Sequence, residues 1–482
     1  MAEQALPAAA APARVAAVML DRRFVSAMGR IAIPVALQAL VSSSRTVVDS
    51  VLTSRLGTDQ VAAVGYGGRV VFVGMLAVLG MADGGGVMLA QCWGRGERER
   101  ASRMSGLVAA ITLSVSAVVA VVCFVFSRQI VELGTSDPRV VAFGSSYVRM
   151  AIGMVLPYGV ISCLAAALRC VGEPRISLWF SLLGLTAHII AAEGLIYGRW
   201  GLPALGVRGS GAALLISTCL ECLGLLTYLR LRRHRMALRL KDMVSVRSGE
   251  SLGRILRVSG PVSLSSTSWA IGILVYSILV ARSGVRQLAA LSMISPLESF
   301  AIALLIGLSS AAAVLTGRSL GAGRPQEAMA QGKALLAWTA AVAVVIGLVL
   351  ASARWWIGAL YRGVGPAALA DARTTTAVLA VAFFFRAMSI TLQNGLLRAG
   401  GDTIFVLRVD LFTQWAVAIP LTWLASAVWK LPFPAVFAAI NMEEVVKSLI
   451  AGRRFAGGRW LRNLFEDHVE PPGARAEEKV VT

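Results

Sequence analysis

Charge is what this sequence has little of. Only 15% of its 482 residues are charged, where a soluble domain of ordinary composition carries about 25%. Histidine is scarcer still. His188, His234 and His468 lie far apart, and no H-E-x-x-H or D-D-x-x-D run occurs. That argues against a membrane-embedded lipid or isoprenoid enzyme, which needs clustered acids, histidines or a metal at a membrane face. No catalytic residue, metal site or cofactor is expected. None of the six cysteines falls in a predicted outer loop, so no disulfide is expected. Cys219 and Cys222 form a C-x-x-C inside an apolar helix with no nearby histidine, which reads as a small-residue packing face. No G-x-x-x-x-G-K-[ST] phosphate loop occurs. No cleavable signal peptide is expected either, because the first apolar block begins too late and is too long.

What the chain does have is long apolar blocks and an internal repeat. About twelve blocks approach the roughly 20 residues a spanning helix needs, from 31–53 to 433–451. The blocks near 60–91 and 287–317 are long enough to tilt or break at their glycines. Pro34, Arg55, Gly57, Gln60, Gly80, Gly94 and Gly96 recur 227 positions later as Pro261, Arg282, Gly284, Gln287, Gly307, Gly321 and Gly323. Further on, Leu168, Arg169, Gly172 and Glu173 match Leu397, Arg398, Gly401 and Asp402 at an offset of 229. There the glycine supplies the turn, and Arg and acid can pair beside the helix ends. A membrane domain has been duplicated. The expected fold is an all-α polytopic membrane protein, twelve transmembrane helices in two homologous six-helix lobes around a central cavity. The expected divisions are an N-terminal tail 1–30, lobes 31–229 and 257–452, a basic connector 230–256 and a C-terminal tail 453–482. The first dozen residues, rich in Ala and Pro, are expected to be disordered, and the end after about residue 463 solvated.

The net charge of +20 is explained by topology. With the N-terminus cytoplasmic, inner segments hold about 30 Lys and Arg and outer ones about 11, the positive-inside bias. Both termini are therefore expected in the cytoplasm, with the chain in the cell (inner) membrane. The basic segments suit membrane lipid, and no nucleic-acid partner is expected.

The order of short motifs carries a resemblance. The first half reads IPVALQALVSSSRTVVDSVLTSRLGTDQVAAVG, then WGRGERERA, LRCVGEP and LIYGRWGLPALGVRGSGAA. The second half gives SLGAGRPQEA, LLRAGGDT and IPLTWL in matching order. Over about residues 25 to 463 this resembles the multidrug and toxin extrusion (MATE) transporters, of the multidrug/oligosaccharidyl-lipid/polysaccharide flippase superfamily. The resemblance implies two six-helix lobes and export of amphipathic, often cationic, small organic substrates in exchange for H⁺ or Na⁺. A monomer is expected.

Span 1 carries a polar stripe. Gln38, Ser42, Arg45, Thr46, Asp49 and Thr53 fall within an arc of about 100°. Such a face must look at a cavity or a partner helix. Asp49 lies about one turn below the outer end, where burial costs several kcal/mol unless it is paired, protonated or ion-bound. The resemblance points to the same residue as the ion-coupling acid. Arg45, four residues earlier on that face, either forms a fixed salt bridge with Asp49 or yields it to substrate. Glu193 in span 5 either faces Asp49 or is a headgroup-level acid. Asp83, deep in the first half, is a third candidate for coupling. His188 in span 5 is read first as a hydrogen-bonded packing residue and second as a proton relay.

In the second half the repeat places Trp269 and Tyr276 where Ser42 and Asp49 stand, and both could stack on a flat or cationic substrate. Span 10 carries Arg386, Ser389 and Gln393 on one face, with Glu298 the nearest spare acid. Ion coupling is accordingly expected to be confined to the first lobe. The substrate cavity is expected to include Gln38, Ser42, Arg45, Trp269, Tyr276, Arg386 and Gln393. Arg69, Arg149 and Arg408 are further cations within spans. Arginines facing the cavity together would favour an anionic cargo or a lipid-linked flippase reaction instead.

Overall fold

The computed structural model describes residues 11–135, 137–238, 249–283, 285–360 and 366–465. The expectations for residues 1–10, for most of the connector, for His468 and for the tail beyond 465 fall outside these residues. The short helix Ala11–Leu20 already occupies the end of the segment expected to be disordered.

Among the described residues the chain is helical and contains no strand. The first lobe comprises α1 (Arg22–Thr53), α2 (Thr58–Gly94), α3 (Arg98–Val125), α4 (Pro138–Val171), α5 (Pro174–Tyr197) and α6 (Val207–Leu231). The second comprises α7 (Gly249–Ser283), α8 (Val285–Gly321), α9 (Pro325–Leu360), α10 (Pro366–Gly400), α11 (Thr403–Val428) and α12 (Phe433–Ala456). Eleven are long and apolar enough to cross a membrane. The twelfth, α12, has 24 residues and carries Glu443, Glu444 and Lys447 in one turn.

Local chemistry sets the ends. Asp137 caps α4 by accepting from Arg139 N at 2.8 Å, with Pro138 following it. The repeated glycines Gly96 and Gly323, and Gly172 and Gly401, all take positive φ between 72° and 86° just past a helix end. A side chain would be strained there, which is why the repeat keeps glycine. The Arg and acid beside these turns do not pair with each other. Arg169 bonds Asp83 at 2.8 Å, and Asp402 takes Arg454 at 2.7 Å.

Of the two expectations for the long blocks, to tilt or to break, the break does not occur: α2 and α8 run unbroken through their glycines. The irregular turns lie instead in α10 and α11, as π-helical stretches Thr391–Leu397, Phe412–Ala418 and Leu424–Val428. The glycines of α2 and α8 serve close approach between lobes. A Cβ on Gly94 would strike Arg318 O at 2.1 Å, and one on Gly321 would strike Gln91 O at 2.0 Å. Likewise Gly80 meets the Ser263 backbone at 2.5 Å and Gly307 meets Ala32 O at 2.3 Å. These contacts come in pairs related by the 227-residue repeat, so the two lobes are arranged about a pseudo-two-fold axis.

All of them lie in the half of each helix nearer the chain ends. There one apolar core draws on both lobes, from Phe24 and Met88 to Leu315, Leu396 and Trp460. In the other half each lobe keeps its own core, Val64–Val207 in the first and Val280–Ala439 in the second. The molecule is thus joined at the end bearing Phe24 and Trp460 and divided at the other.

Candidate coupling and substrate site

Gln38, Arg45 and Asp49 of the polar stripe on α1 face their own lobe's α5 and α6. Gln38 Nε2 donates to Ser177 Oγ at 2.9 Å and Ser181 Oγ at 3.1 Å. One turn on, Arg45 does not pair with Asp49. Its guanidinium takes Glu221 of α6 at 2.5 Å and the Ser181 carbonyl at 3.4 Å. Ser181 Oγ in turn donates to Glu221 Oε1 at 2.7 Å. Both sequence alternatives for Arg45 assumed it would meet Asp49. The helix spacing permitted that contact, but a buried carboxylate on α6 outcompetes it.

Asp49 is 8% exposed and has two neutral-type partners. His188 Nε2 lies 3.1 Å from Oδ1, and Ser210 Oγ donates to the same oxygen at 3.0 Å. Among the described residues no Arg or Lys lies within ion-pair distance of it. His188 is fully buried, with Ser217 Oγ 3.5 Å from its other ring nitrogen. The seam therefore separates into two units a turn apart: the Arg45–Glu221 pair and the Asp49–His188 pair.

Glu193 does not join them. It pairs with Arg199, in the loop after α5, at 2.5 Å. Asp83 is also apart, held by Arg169. Ser42 and Thr46 are exposed on α1, whereas Thr53 is buried.

The second lobe holds a buried network of acids and cations beyond Glu298. Tyr276 is buried and its hydroxyl donates to Glu443 Oε2 at 2.6 Å. Lys447 bridges Glu443 at 2.5 Å and Asp410 at 3.2 Å. Ser265 donates to Asp410, and Arg398 lies 3.9 Å from it. Arg386 bonds Glu298, takes Asn441 Oδ1 at 3.1 Å and faces Glu444 at 3.5 Å. Trp269 is half-buried, its carbonyl 3.5 Å from Gln414 Nε2. Gln393 sits in the first π-helical stretch, with a buried Nε2 that has no hydrogen-bond partner.

Glu221, Asp410, Glu443, Glu444 and Lys447 were missed in the sequence. Their signal was present, since an ionisable residue inside a spanning block is a functional or network residue by default. The repeat points to spans 7 and 10, whereas these residues lie on α6, α11 and α12. Arg69 and Arg408 are exposed, and Arg149 Nε donates to Ser127 Oγ at 2.9 Å.

With this geometry established, comparison with known proteins is informative. The MatE family profile matches twice, at residues 34–192 and 261–424, once in each lobe. This chain belongs to the MatE family of transporters. As a MATE transporter it moves solutes and is not an enzyme. It is similar to the Multidrug resistance protein NorM of Burkholderia vietnamiensis, 28% identical over 408 residues, 82% of this chain and 86% of that protein. The Probable multidrug resistance protein NorM of Agrobacterium fabrum is 24% identical over 382 residues, 78% and 81% of the two chains. The fold is similar to a MATE crystal structure in the bent conformation, with TM-score 0.80, 17% identity and 92% and 98% coverage. The eukaryotic MATE transporter AtDTX14 gives TM-score 0.81 at 18% identity, with 93% and 98% coverage.

Proposed function

We propose that this MATE transporter is a secondary active exporter of amphipathic organic compounds (drugs, toxins or secondary metabolites) in antiport with H⁺ or Na⁺. Its termini face the cytoplasm, as the lysines and arginines at the joined end require. Substrate occupies the space between the lobes, and alternating access consists of parting the glycine-lined contacts at the joined end while the divided end closes.

The observation that carries the coupling role is the environment of Asp49. A buried carboxylate without a guanidinium or ammonium partner is stable when it holds a proton or an ion. Its contact with His188 favours the proton, because imidazole and carboxylate can share one across a single hydrogen bond. Arg45 cannot hold Asp49 ionised, since Glu221 occupies it.

The anionic-cargo alternative rested on intramembrane arginines. Arg45 and Arg386 are both engaged by acids, which supports the amphipathic-compound reading instead. The test is dye efflux in reconstituted vesicles under separately imposed pH and Na⁺ gradients, with wild type and Asp49→Asn. Efflux driven by the pH gradient in wild type and reduced at least about tenfold in the variant is expected, the scale of losing a site worth about 1.4 kcal/mol or more. Equal efflux in both removes Asp49 from the mechanism.

A further inference from the structure

Two cavities open at the divided end of the molecule. One, of about 810 Å³, lies where the end of α3 and the short helix Ser127–Glu132 meet α4 and the start of α6, and is lined by Arg128, Glu132, Arg149 and Arg208. The other, of about 380 Å³, lies between α9 and α10 and is lined by Arg354, Trp355 and Arg373. Helices α9 and α10 are the repeat counterparts of α3 and α4, so each lobe forms a cationic cavity beside its third and fourth spans.

The charge is not neutralised from within. Only Arg128 has an acid, Glu132 at 2.8 Å. Among the described residues no acid lies within ion-pair distance of Arg149, Arg208, Arg354 or Arg373. Arg149 is tethered by Nε to the buried Ser127, which fixes its guanidinium at the end of α3. Arg354 lies over the Trp355 ring at 5.4 Å, and Trp355 is 73% exposed. An exposed tryptophan beside arginine at a helix end marks the headgroup level of a bilayer.

Below each cavity runs an exposed apolar strip. Val118, Val121 and Val122 of α3 are 63%, 61% and 45% exposed. Their counterparts 227 positions on, Val345, Leu348 and Val349 of α9, are 61%, 67% and 57% exposed. A cationic cavity with an apolar strip leading from it complements a phosphate headgroup attached to acyl chains.

We propose that the α3–α4 and α9–α10 grooves are a symmetric pair of binding sites for anionic phospholipid. The arginines take the phosphate and the valine strips take the chains. Guanidinium is suited to this, because its donors match phosphate oxygens two at a time.

The experiment is native mass spectrometry of the purified full chain from micelles holding equal amounts of phosphatidylglycerol and phosphatidylcholine. Wild type is expected to retain phosphatidylglycerol preferentially, by about fivefold for each unpaired arginine engaged. Arg149→Gln with Arg208→Gln, and Arg354→Gln with Arg373→Gln, should each remove one preferred lipid. The four corresponding Arg→Lys changes should keep most of the preference. Equal retention of the two lipids by wild type overturns the proposal without reference to any variant. It is also overturned by undiminished preference in the fourfold Gln variant, or by displacement of the lipid with millimolar inorganic phosphate, which would indicate a soluble anion.

Discussion

At the scale of single residues, the first lobe separates the Arg45–Glu221 ion pair from the Asp49–His188 contact. Arg45 and Glu221 are 13% and 4% exposed at their side chains. Removing one partner of such a pair leaves an uncompensated buried charge, costing about 3–5 kcal/mol, whereas replacing both with apolar groups is often neutral. Glu221→Gln is therefore expected to lower the thermal midpoint in detergent markedly, and Arg45→Met with Glu221→Leu to restore most of it. Failure of the double variant to recover would assign Arg45 to substrate or to Asp49. Asp49 itself was legible from sequence, because an acid on the polar face of an apolar helix stands out. Its partners were not, since His188 and Ser210 are 139 and 161 positions away, and helical periodicity says nothing about which helix packs where.

At the scale of elements, the joined end depends on glycine and on the segment after α12. Gly94→Ala with Gly321→Ala would insert methyl groups onto backbone atoms 2.1 and 2.0 Å away, which packing cannot absorb. The two lobes should part there, and a cysteine nearby should react with a membrane-impermeant thiol reagent at least several-fold faster. An unchanged rate would mean the crossing is not the gate. The chain beyond α12 adds a strap across the same end. Gln91 Nε2 donates to Ala399 O at 2.8 Å and Arg462 O at 3.2 Å, while its Oε1 accepts from Leu464 N at 2.9 Å. Trp460 is wholly buried and stacks on Phe455 with ring centroids 5.3 Å apart.

The α2–α3 turn at this end has a predictable pH response. Burial alone pushes the Glu97 carboxyl up, but hydrogen bonds from Arg100 and Arg95 outweigh it and hold it below its ordinary value of 4.5. A carboxyl lowered in the folded state stabilises above its unfolded value and loses that contribution as pH falls through the folded one. The thermal-midpoint difference between wild type and Glu97→Gln should be constant above about pH 5 and shrink below it. The effect should be small, because the group is mostly solvated. A difference that grows on acidification contradicts the assignment.

At the scale of the whole molecule, one core shared at one end and two separate cores at the other is an arrangement that can rock. The joined end carries the repeated turns at Gly96 and Gly323, related by the pseudo-two-fold axis. Accessibility reporters at positions 95 and 324 should therefore report the same side of the membrane, and reporters at 135 and 200 the opposite one. Positions 95 and 324 on different sides would dissolve the two-lobe architecture and the transport cycle with it. Both apolar block count and repeat were readable in advance, because crossing a bilayer demands runs of about 20 apolar residues and duplication leaves its spacing in the chain. The densest charge of the second lobe was not, because Asp410, Glu443, Glu444 and Lys447 lie on two helices whose facing sides only packing reveals.

The sequence by itself determined the twelve spans, their duplication, the glycine turns and the identity of the one acid in span 1, because each follows from solvation cost or from backbone geometry within a few residues. Only the tertiary structure decided which buried charge meets which. Arg45 goes to Glu221, Asp49 to His188, and Tyr276 to Glu443. In a low-dielectric interior such partnerships depend on distances across helices, and those distances are set by how the two bundles pack.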